Sequence, residues 1–479
     1  MVANTGYLGI KFLLATAFSI FGLILPSYSE AQTLTSLHSF TALDSLFANE
    51  DGSYPTAGPA FFAGALYGTC SQGGENGRGT LFKINTDGTG FIPIYAFTTT
   101  DPGTGTNGDG AFPLSGLVFV GSTLYGTASA GGAAANGTIF KVNSDGSGFV
   151  TLHAFSASDP TTSVNNDGAA PWATLIASGN TLFGTATSGG TGGSGTVFKL
   201  NTDGSGFMSL HSFSALAPTS ATNSDGGNPL GALTISGNTL YGTTYRGGSL
   251  GTGTVFKINI DGSAFTVLHN NDGGSRGGLV VAGNQLYGTT ESGGTFGGGT
   301  VFKLATDGTG FTNLQNFASS PANGPWGGLV LVSNVLYGTT YGSGDSAMGS
   351  IFSINPDGTA FSNLYSFTGV NDGAHPQGDL ILSNGQIFGT TSEGGGAGDG
   401  TVFKLSPGNG SGSQLTISIA GKNVVLSWPV ATASGLQSTT NLGNPASWTN
   451  VTQTPTVVGG MNFLTNAISD QQRFYRLSQ

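Results

Sequence analysis

Short apolar runs separated by glycine-rich turns recur along most of the chain. One unit shows the pattern well, because apolar and β-branched residues dominate 230–235, 239–244, 253–259 and 265–269. Runs of this length and composition favour β-strands. An Asp-Gly pair separates the last two runs, which indicates a tight hairpin because glycine accepts the positive φ that such a turn requires. The unit therefore predicts four antiparallel strands, which we name A, B, C and D.

The same unit occurs seven times. Its Tyr-Gly-Thr or Phe-Gly-Thr phrase repeats at spacings of 58, 58, 58, 46, 50 and 51 residues. The aromatic residues of the phrase are Tyr67, Tyr125, Phe183, Tyr241, Tyr287, Tyr337 and Phe388. Periods near 50 built from short strands are typical of propellers and other repeat arrays. Seven units of four strands predict an all-β protein with a seven-bladed β-propeller.

The repeat begins out of phase, which predicts how the ring closes. A Leu-His-Ser-Phe phrase at 37–40 precedes the first full unit, whereas the seventh unit lacks its own copy. We therefore expect residues 34–40 to supply strand D of the last blade, whose other strands lie within 379–405. A closed ring gains from such a split blade because it joins the two ends. An open solenoid gains nothing from it, because its ends never meet.

The strand order also predicts where the loops lie. In an up-and-down blade, the B–C loops and the D–A connections lie on one face, here called the long-loop face. The short A–B and C–D turns lie on the opposite face. Loops held by a rigid scaffold commonly carry function, so we expect the functional surface on the long-loop face.

Both ends of the chain differ from the repeats. Lys11 precedes the apolar run 12–25, and small residues at 29 and 31 fit a cleavage site, which predicts a signal peptide over 1–31. An uncleaved N-terminal anchor is the alternative. The propeller is predicted over 32–405, and 406–413 has the Gly/Ser composition of a linker. Residues 414–479 predict a small β-sandwich of fibronectin-III or immunoglobulin type, since 424–429 resembles the Trp-bearing strand of such modules.

Composition excludes several partners. Only 8% of residues are charged and the net charge is −11, so no basic patch is available to bind nucleic acid. Cys70 is the single cysteine, which excludes a disulfide framework and predicts a buried thiol. No later run could cross a membrane as a helix, and we expect a monomer without a transmembrane anchor after signal cleavage.

The recurring phrases resemble a known family. Tyr-Gly-Thr, Gly-Gly, Gly-Thr-Val-Phe-Lys and Asp-Gly follow one another in fixed order through residues 34–405. This order is similar to the GloVer tandem repeat of choice-of-anchor secreted proteins, called after Gloeobacter and Verrucomicrobia. The resemblance implies export and often a C-terminal sorting or anchoring segment, with no established activity. Residues 473–479 carry no terminal apolar helix with a basic cluster, which departs from the anchored pattern.

An Asp-Gly pair recurs near the start of the units, on the predicted long-loop face. The aspartates are Asp51, Asp109, Asp167, Asp225, Asp272 and Asp372, with Asn323 in the remaining unit. Asp and Asn commonly cap turns by bonding their own backbone, and this is the favoured interpretation. The alternative is a ring of carboxylates that binds Ca²⁺, whose ligands are carboxylate and carbonyl oxygens. No other cofactor is predicted.

Aromatic side chains on the same face are candidate ligand contacts. They are Tyr54, Phe112, Trp172, Tyr245 and Trp326. Exposed rings beside polar turns suit sugar faces or protein partners, whereas the alternative is that they plug the loops of their own blade. Trp172 and Trp326 precede strand A, the strand nearest the propeller axis. We therefore expect these two to approach a ligand over the central mouth.

Motifs for catalysis are weak. The repeat region has only Arg78, Arg246 and Arg276, whereas sialidase-type sites need an arginine cluster. Other glycosidases need two carboxylates about 5–10 Å apart, and no pattern pairs the unique acids Glu50, Glu75, Glu291 and Glu393. Four histidines share one slot on strand D, where side chains of different blades diverge, and we expect them to serve in packing. They are His38, His153, His211 and His269.

These observations favour a secreted or cell-surface propeller that binds a polysaccharide or a protein without transforming it. One alternative is an extracellular polysaccharide hydrolase or lyase whose site lies at the central mouth of the long-loop face. The other is an architectural surface protein. Units that diverge mainly in their loops favour binding or architecture over catalysis.

Overall fold

A computed structural model describes residues 8–10, 33–319, 324–383, 385–406, 416–420, 423–429, 435–439, 449–458, 461–467 and 473–478. The predicted signal peptide, apart from residues 8–10, and the predicted linker beyond residue 406 lie outside the described residues. The described residues contain strands and turns but no helix, and hence none long and apolar enough to span a bilayer. The chain divides into two compact units, of which the larger comprises Leu34–Ser383 and Ile387–Leu405.

The larger unit is a seven-bladed β-propeller. Its described residues form seven antiparallel four-stranded sheets, each with the predicted order A-B-C-D. In blades 1 to 3 the strands are Ala60–Phe62, Ala65–Cys70, Thr80–Asn85, Ile92–Ala96; Val118–Val120, Thr123–Ala128, Thr138–Asn143, Val150–Ala154; and Ile176–Ser178, Thr181–Ala186, Thr196–Asn201, Met208–Ser212. In blades 4 and 5 they are Thr234–Ser236, Thr239–Thr243, Thr254–Asn259, Thr266–Asn270; and Val280–Ala282, Gln285–Thr290, Gly297–Ala305, Thr312–Ala318. In blades 6 and 7 they are Val330–Val332, Val335–Thr340, Ser350–Ile354, Ser362–Ser366; and Ile381–Ser383, Gln386–Thr391, Thr401–Ser406, Thr33–Ser39.

The last blade closes the ring as predicted. Its strand D is Thr33–Ser39, which pairs with Thr401–Ser406. The amide of Phe40 donates to the carbonyl of Gly400 at 3.1 Å. The hydroxyl of Thr390 donates to the carbonyl of Ala57 at 2.8 Å and so joins blade 7 to blade 1. The first and last strands of the repeat region therefore belong to one sheet.

A glycine and a phenylalanine form the centre of every blade. Gly68 of the Tyr-Gly-Thr phrase lies directly opposite Phe82 of strand C. A Cβ atom added at Gly68 would lie 2.3 Å from Cζ of Phe82, so any other residue would displace the ring. All seven blades repeat this arrangement, with 2.3–2.6 Å to Cζ. The phenylalanine is completely buried in each blade, which explains why the two phrases always occur together.

A second set of phenylalanines joins neighbouring blades. Phe155 follows strand D of blade 2 and meets Phe198 of blade 3 edge-to-face, with 5.6 Å between ring centroids. Five further junctions have an equivalent pair at 5.3–5.5 Å: Phe40–Phe82, Phe97–Phe140, Phe213–Phe256, Phe317–Phe352 and Phe367–Phe403. At the junction of blades 4 and 5, buried Asn271 occupies the slot and donates to Ser275. Cys70 is buried, as predicted.

Strand A is shorter than the sequence predicts. In blade 4 it begins at Thr234 rather than at residue 230. The preceding residues pack against the equivalent segment of the next blade instead of pairing in their own sheet, since a Cβ at Gly231 would lie 2.5 Å from the carbonyl oxygen of Gly277. We call these stretches the lead-in segments. Strands B, C and D of this blade lie within one residue of their predicted bounds.

The smaller unit contains two four-stranded sheets among its described residues. One has the order Thr416–Ala420, Asn423–Pro429, Met461–Ala467 and Thr456–Val458. The other has the order Leu8–Ile10, Arg473–Ser478, Gly435–Thr439 and Thr449–Asn450. Buried residues of both sheets share one hydrophobic cluster, formed by Leu426, Trp428, Leu436, Leu464 and Tyr475.

Replacement of Phe40 tests the importance of closure. Phe40 is 1% exposed and contacts Phe82 across the junction of blades 7 and 1. We expect Phe40→Ala to lower the free energy of unfolding by about 3–5 kcal/mol, as is usual for a buried phenylalanine. The control is Phe47→Ala, since Phe47 is 66% exposed and surface changes usually cost less than about 0.5 kcal/mol. Equal denaturation curves for the two variants would show that the closing strand is dispensable.

Candidate functional site

The recurring aspartates fasten the D–A connections. In blade 4, Asp225 accepts hydrogen bonds from Nε2 of His211 at 3.1 Å and from the amide of Ser214 at 3.1 Å. Burial raises the pKa of Asp225, but the hydrogen bonds from His211 and Ser214 outweigh this effect and the net pKa is lowered. The carboxylate thus ties the end of one blade to the loop that begins the next.

Four other aspartates make the same contacts, to a His or Tyr of strand D and to the first Ser or Thr of the connection. They are Asp51, Asp109, Asp167 and Asp372. Asp272 differs, since it is exposed and accepts from the amide of Gly294. Asn323 lies outside the described residues.

The strand-D rings also stack on the next blade. His38 lies parallel to Phe91 of blade 1, with 3.5 Å between centroids and 5° between planes. The same stacking occurs in His153–Phe207, His211–Phe265, His269–Phe311 and Tyr95–Phe149. These contacts agree with the predicted packing role of the histidines. Within the described residues, no three His, Cys, Asp or Glu side chains form a group that could hold a metal ion, and Ca²⁺ binding stays a prediction.

Each blade contributes one side chain to the mouth of the central channel. The seven residues, here called the mouth ring, occupy one slot of the lead-in segments: Thr56, Leu114, Trp172, Leu230, Arg276, Trp326 and Gln377. They border a cavity of about 500 Å³, which is within the usual range for small-molecule pockets. The mouth ring therefore surrounds a concave surface to which all seven blades contribute.

A second ring lies two residues further along the lead-in segments. We call it the inner ring, and it consists of Gly58, Gly116, Thr174, Ala232, Gly278, Gly328 and Asp379. Small residues predominate because the backbones of neighbouring lead-in segments touch. A Cβ at Gly58, for example, would overlap the backbone carbonyl oxygen of Asp379. Asp379 is the exception in both size and charge.

Asp379 lies in the cavity with one oxygen engaged. Its Oδ1 accepts from the amide of Gly328 at 2.5 Å. The side chain is open to the cavity but surrounded by protein, and burial raises the pKa of its carboxyl group. It is the single carboxyl group among the described residues that line the cavity.

Arg276 is clamped at the rim of the mouth. Its Nε donates to Glu291, which also accepts a hydrogen bond from the hydroxyl of Tyr245. The guanidinium carbon lies 4.9 Å from the ring centroid of Tyr245 and 4.3 Å from that of Trp326. This arrangement fixes Arg276 by an ion pair and two cation–π contacts.

The stack continues into blade 7. Trp326 lies parallel to Tyr341 with 3.9 Å between centroids, and Tyr341 lies 4.5 Å from His375. Since two groups cannot both lie so close to one side of a ring, Arg276 and Tyr341 cover opposite faces of Trp326. Nδ1 of His375 donates to the carbonyl of Tyr341 at 3.0 Å, and its Nε2 lies 3.8 Å from Glu393.

Comparison with known families supports the repeat assignment. The model of the Gloeobacter/Verrucomicrobia repeat matches residues 25–215, 160–280 and 270–445, which is most of the chain. The chain belongs to this family. No curated protein matches the sequence.

Solved structures resemble this Gloeobacter/Verrucomicrobia repeat protein at low identity. A GH74 enzyme from Niastella koreensis is 17% identical with a TM-score of 0.48, and the match covers 80% of this chain and 58% of the enzyme. An oligogalacturonate lyase from Vibrio parahaemolyticus is 9% identical with a TM-score of 0.45, covering 78% and 96%. A putative 6-phosphogluconolactonase from Bacteroides fragilis is 15% identical with a TM-score of 0.45, covering 85% and 99%. Likenesses at this level carry no information on the activity of the repeat protein.

The structure separates the five aromatic residues predicted as ligand contacts. Trp172 and Trp326 line the cavity of the repeat protein. Tyr245 lies beside Arg276 at the rim, whereas Tyr54 and Phe112 are not among the lining residues. Tyr54 and Phe112 both have positive φ. The backbone amide of each donates to a carbonyl of the preceding blade, that of Asp399 or of Arg78. Only Trp172 combines a place in the cavity with high exposure, at 40%.

The sequence pattern does not predict the residues that give the mouth its polarity. It marks Glu291 and Glu393 as unique acids and Arg276 as one of three arginines of the repeat region, but it does not predict their partners. It does not single out Asp379 or Tyr341. The available signal was departure from the repeat, since Asp379 occupies a slot held elsewhere by Gly, Ala or Thr.

The aspartate contacts predict a pH-dependent stabilisation. Asp225→Asn should lower the free energy of unfolding at neutral pH by about 1.5–3 kcal/mol, since hydrogen bonds to charged groups contribute about that much. Folding lowers the pKa of Asp225, so its contribution is present above the unfolded value of about 3.9 and is lost as the pH falls through the folded value. The control is Asp272→Asn, because Asp272 occupies the same slot but is exposed and, among the described residues, accepts no hydrogen bond from a histidine. Thermal melts at pH values from about 7 to 3 should show a converging difference only for Asp225→Asn.

The same melting curves test Ca²⁺ binding. If the aspartates hold Ca²⁺, a chelator should lower the melting temperature of the wild-type protein, and added Ca²⁺ should restore it. The physical reason is that a ligand bound only by the folded state stabilises it. Identical curves with and without chelator would contradict the Ca²⁺ prediction and leave the aspartates as hydrogen-bond acceptors.

Proposed function

We propose that this protein is a secreted or cell-surface binding protein, whose propeller holds a polysaccharide at the channel mouth without transforming it. The observation that carries the proposal is the indole of Trp172, which is 40% exposed at the edge of a cavity of about 500 Å³. Among the described residues it stacks on no other aromatic ring. A broad apolar ring held open at a cavity suits stacking against the face of a sugar.

The rest of the mouth ring supplies rigid polar and apolar walls. Trp326 and Arg276 are fixed by their stack, so a ligand would not need to order them on binding. Such preorganisation lowers the entropic cost of association. The hydroxyl of Thr56 donates to the carbonyl of Leu114, and Nε2 of Gln377 donates to Ser392. Their oxygens can still accept hydrogen bonds from sugar hydroxyls.

The shape of the site favours a polysaccharide over a protein ligand. A stable protein interface usually buries about 800 Å² on each partner, across a broad surface. The cavity here has a volume of about 500 Å³, and its lining comes from lead-in segments of all seven blades. A sugar chain can place one or two residues in such a cavity while its remainder lies across the loops.

One observation favours hydrolysis as a second candidate function. Asp379 is a carboxyl group of raised pKa inside the cavity, as a general acid requires. Glycoside hydrolysis usually needs a second carboxylate about 5–10 Å from the first. Asp379 has no such companion among the described residues that line the cavity. Binding therefore remains the better supported function.

Two finer assignments belong to the same proposal. We infer that the smaller unit is a β-sandwich of fibronectin-III or immunoglobulin type, because Trp428 and Leu464 of one sheet share a cluster with Leu436 and Tyr475 of the other. We also infer export through a signal peptide over residues 1–31, which rests on the apolar run 12–25. Its cleavage would remove Leu8–Ile10 from the edge of the second sheet, which would then keep the three strands Arg473–Ser478, Gly435–Thr439 and Thr449–Asn450. The binding propeller would then act outside the cell.

Replacement of Trp172 tests the proposal. A glycan array with the full-length protein should first identify an oligosaccharide that binds. Trp172→Ala should then weaken binding of that oligosaccharide by about threefold to tenfold or more, since aromatic stacking contributes roughly 0.5–1.5 kcal/mol beyond area burial. Calorimetric titration measures the affinity, and thermal melting checks that the fold is retained.

Phe296→Ala is the matched control, because Phe296 is 61% exposed and does not line the cavity. Its oligosaccharide affinity should equal that of the wild type. Equal weakening by both variants, or an array without any binding glycan, would contradict the proposal. Chromatography of the oligosaccharide after long incubation decides between binding and hydrolysis, since release of shorter products would favour the second candidate.

A further inference from the structure

The charge of the cavity limits the ligands it can accept. Arg276 is the single cationic side chain among the described lining residues, and Glu291 neutralises it. Asp379 adds a negative charge inside the cavity when it is ionised. A uronic acid or sulfated sugar would therefore meet a carboxylate without finding a free cation. The cavity disfavours anionic glycans and favours neutral or cationic ones.

Asp379 offers an acceptor that the described protein does not use. Its Oδ1 is bonded to the amide of Gly328 at 2.5 Å. Its Oδ2 has no hydrogen-bond partner among the described residues, and the side chain is open to the cavity. The other six blades have Gly, Ala or Thr in this slot, so the scaffold itself does not require a carboxylate there.

The indole of Trp172 also favours a cationic sugar. Trp172 presents an exposed indole at the mouth, and the face of an indole attracts cations as well as sugar rings. An ammonium group on a sugar could thus meet an aromatic face at the mouth and a carboxylate within. One ligand can contact both Trp172 and Asp379, because both residues line the same cavity.

We propose that the cavity selects amino-sugar polysaccharides, whose protonated amine pairs with the free oxygen of Asp379. The inference rests on the proposed polysaccharide binding at the mouth, and it adds the chemical class of the ligand. Burial raises the pKa of Asp379, and a bound ammonium group would favour the ionised carboxylate again. Affinity for the amino sugar should therefore fall as the pH falls through the pKa of Asp379.

Two tetrasaccharides form a matched pair of probes. The β-1,4-linked glucosamine tetramer and the β-1,4-linked glucose tetramer differ only in an amine or a hydroxyl at each C2. At about pH 6, where the bound ammonium group favours the ionised form of Asp379, we expect wild-type protein to bind the glucosamine tetramer at least tenfold more tightly. Asp379→Asn should remove that preference and leave binding of the glucose tetramer unchanged within about twofold, since the amide keeps the shape and still accepts from Gly328.

Two further variants serve as a charge control and as a second substitution of Asp379. Asp345→Asn makes the same charge change on the exposed B–C loop of blade 6, outside the cavity lining, and should keep the preference. Asp379→Gly places the residue of blades 1, 2, 5 and 6 in blade 7 and should behave like Asp379→Asn. Because folding raises the pKa of Asp379, its ionisation opposes folding as the pH rises. Asp379→Asn should therefore melt at a higher temperature than wild type at neutral pH, which shows that the variant is folded.

The outcomes separate the two proposals. Equal affinities of wild-type protein for the two tetramers, or a preference retained in Asp379→Asn, would overturn the amino-sugar inference while leaving polysaccharide binding intact. If Asp345→Asn lost the preference as well, a general charge effect would replace the specific pair and overturn it too. Failure of both tetramers and of every glycan on the array would overturn the proposed function itself.

Discussion

The propeller depends on one contact that is repeated in every blade, in which the tip of a phenylalanine ring fills the space above a glycine of the adjacent strand. The contact pairs Gly68 with Phe82 in blade 1 and recurs at the same register in the other six blades. Neither residue could change alone, because a side chain at the glycine would displace the ring and a smaller ring would leave a cavity. The contact therefore couples the glycine of strand B to the phenylalanine of strand C and gives every blade the same core packing.

Because the blades have the same core packing, neighbouring blades can make the same contacts around the ring. These contacts explain which positions can vary. Phenylalanine pairs, the stacked rings of strand D and the aspartate contacts hold neighbouring blades together in nearly the same way around the ring. The mouth-ring slot takes part in none of these repeated contacts. It can thus hold Trp172 in one blade, Leu230 in another and Arg276 in a third without disturbing the scaffold. Side chains that differ from blade to blade therefore lie in the slot that takes no part in these repeated contacts between blades.

The sequence predicts the fold well because each strand is reinforced by seven copies of its pattern. It predicts the split blade from a phrase out of phase, and it places Trp172 and Trp326 correctly because both precede strand A. It fails where packing occurs between blades. The start of strand A is wrong because the lead-in segments bond to neighbours, and the partners of Arg276 and the place of Asp379 depend on which slots meet near the axis. No spacing within one unit contains that information.

The split blade determines when the propeller can close during synthesis. Ala57 and Thr390 are bonded across the last junction, although 333 residues separate them in the chain. Of the propeller strands, a ribosome makes Thr33–Ser39 first and Thr401–Ser406 last. Strand D of blade 7 therefore has no partner strand until the whole repeat region has been synthesised. Contacts between such distant segments form slowly. Until they form, both sheet edges of the unfinished ring are open to pairing with other chains. The nascent protein is therefore prone to aggregate until blade 7 is complete.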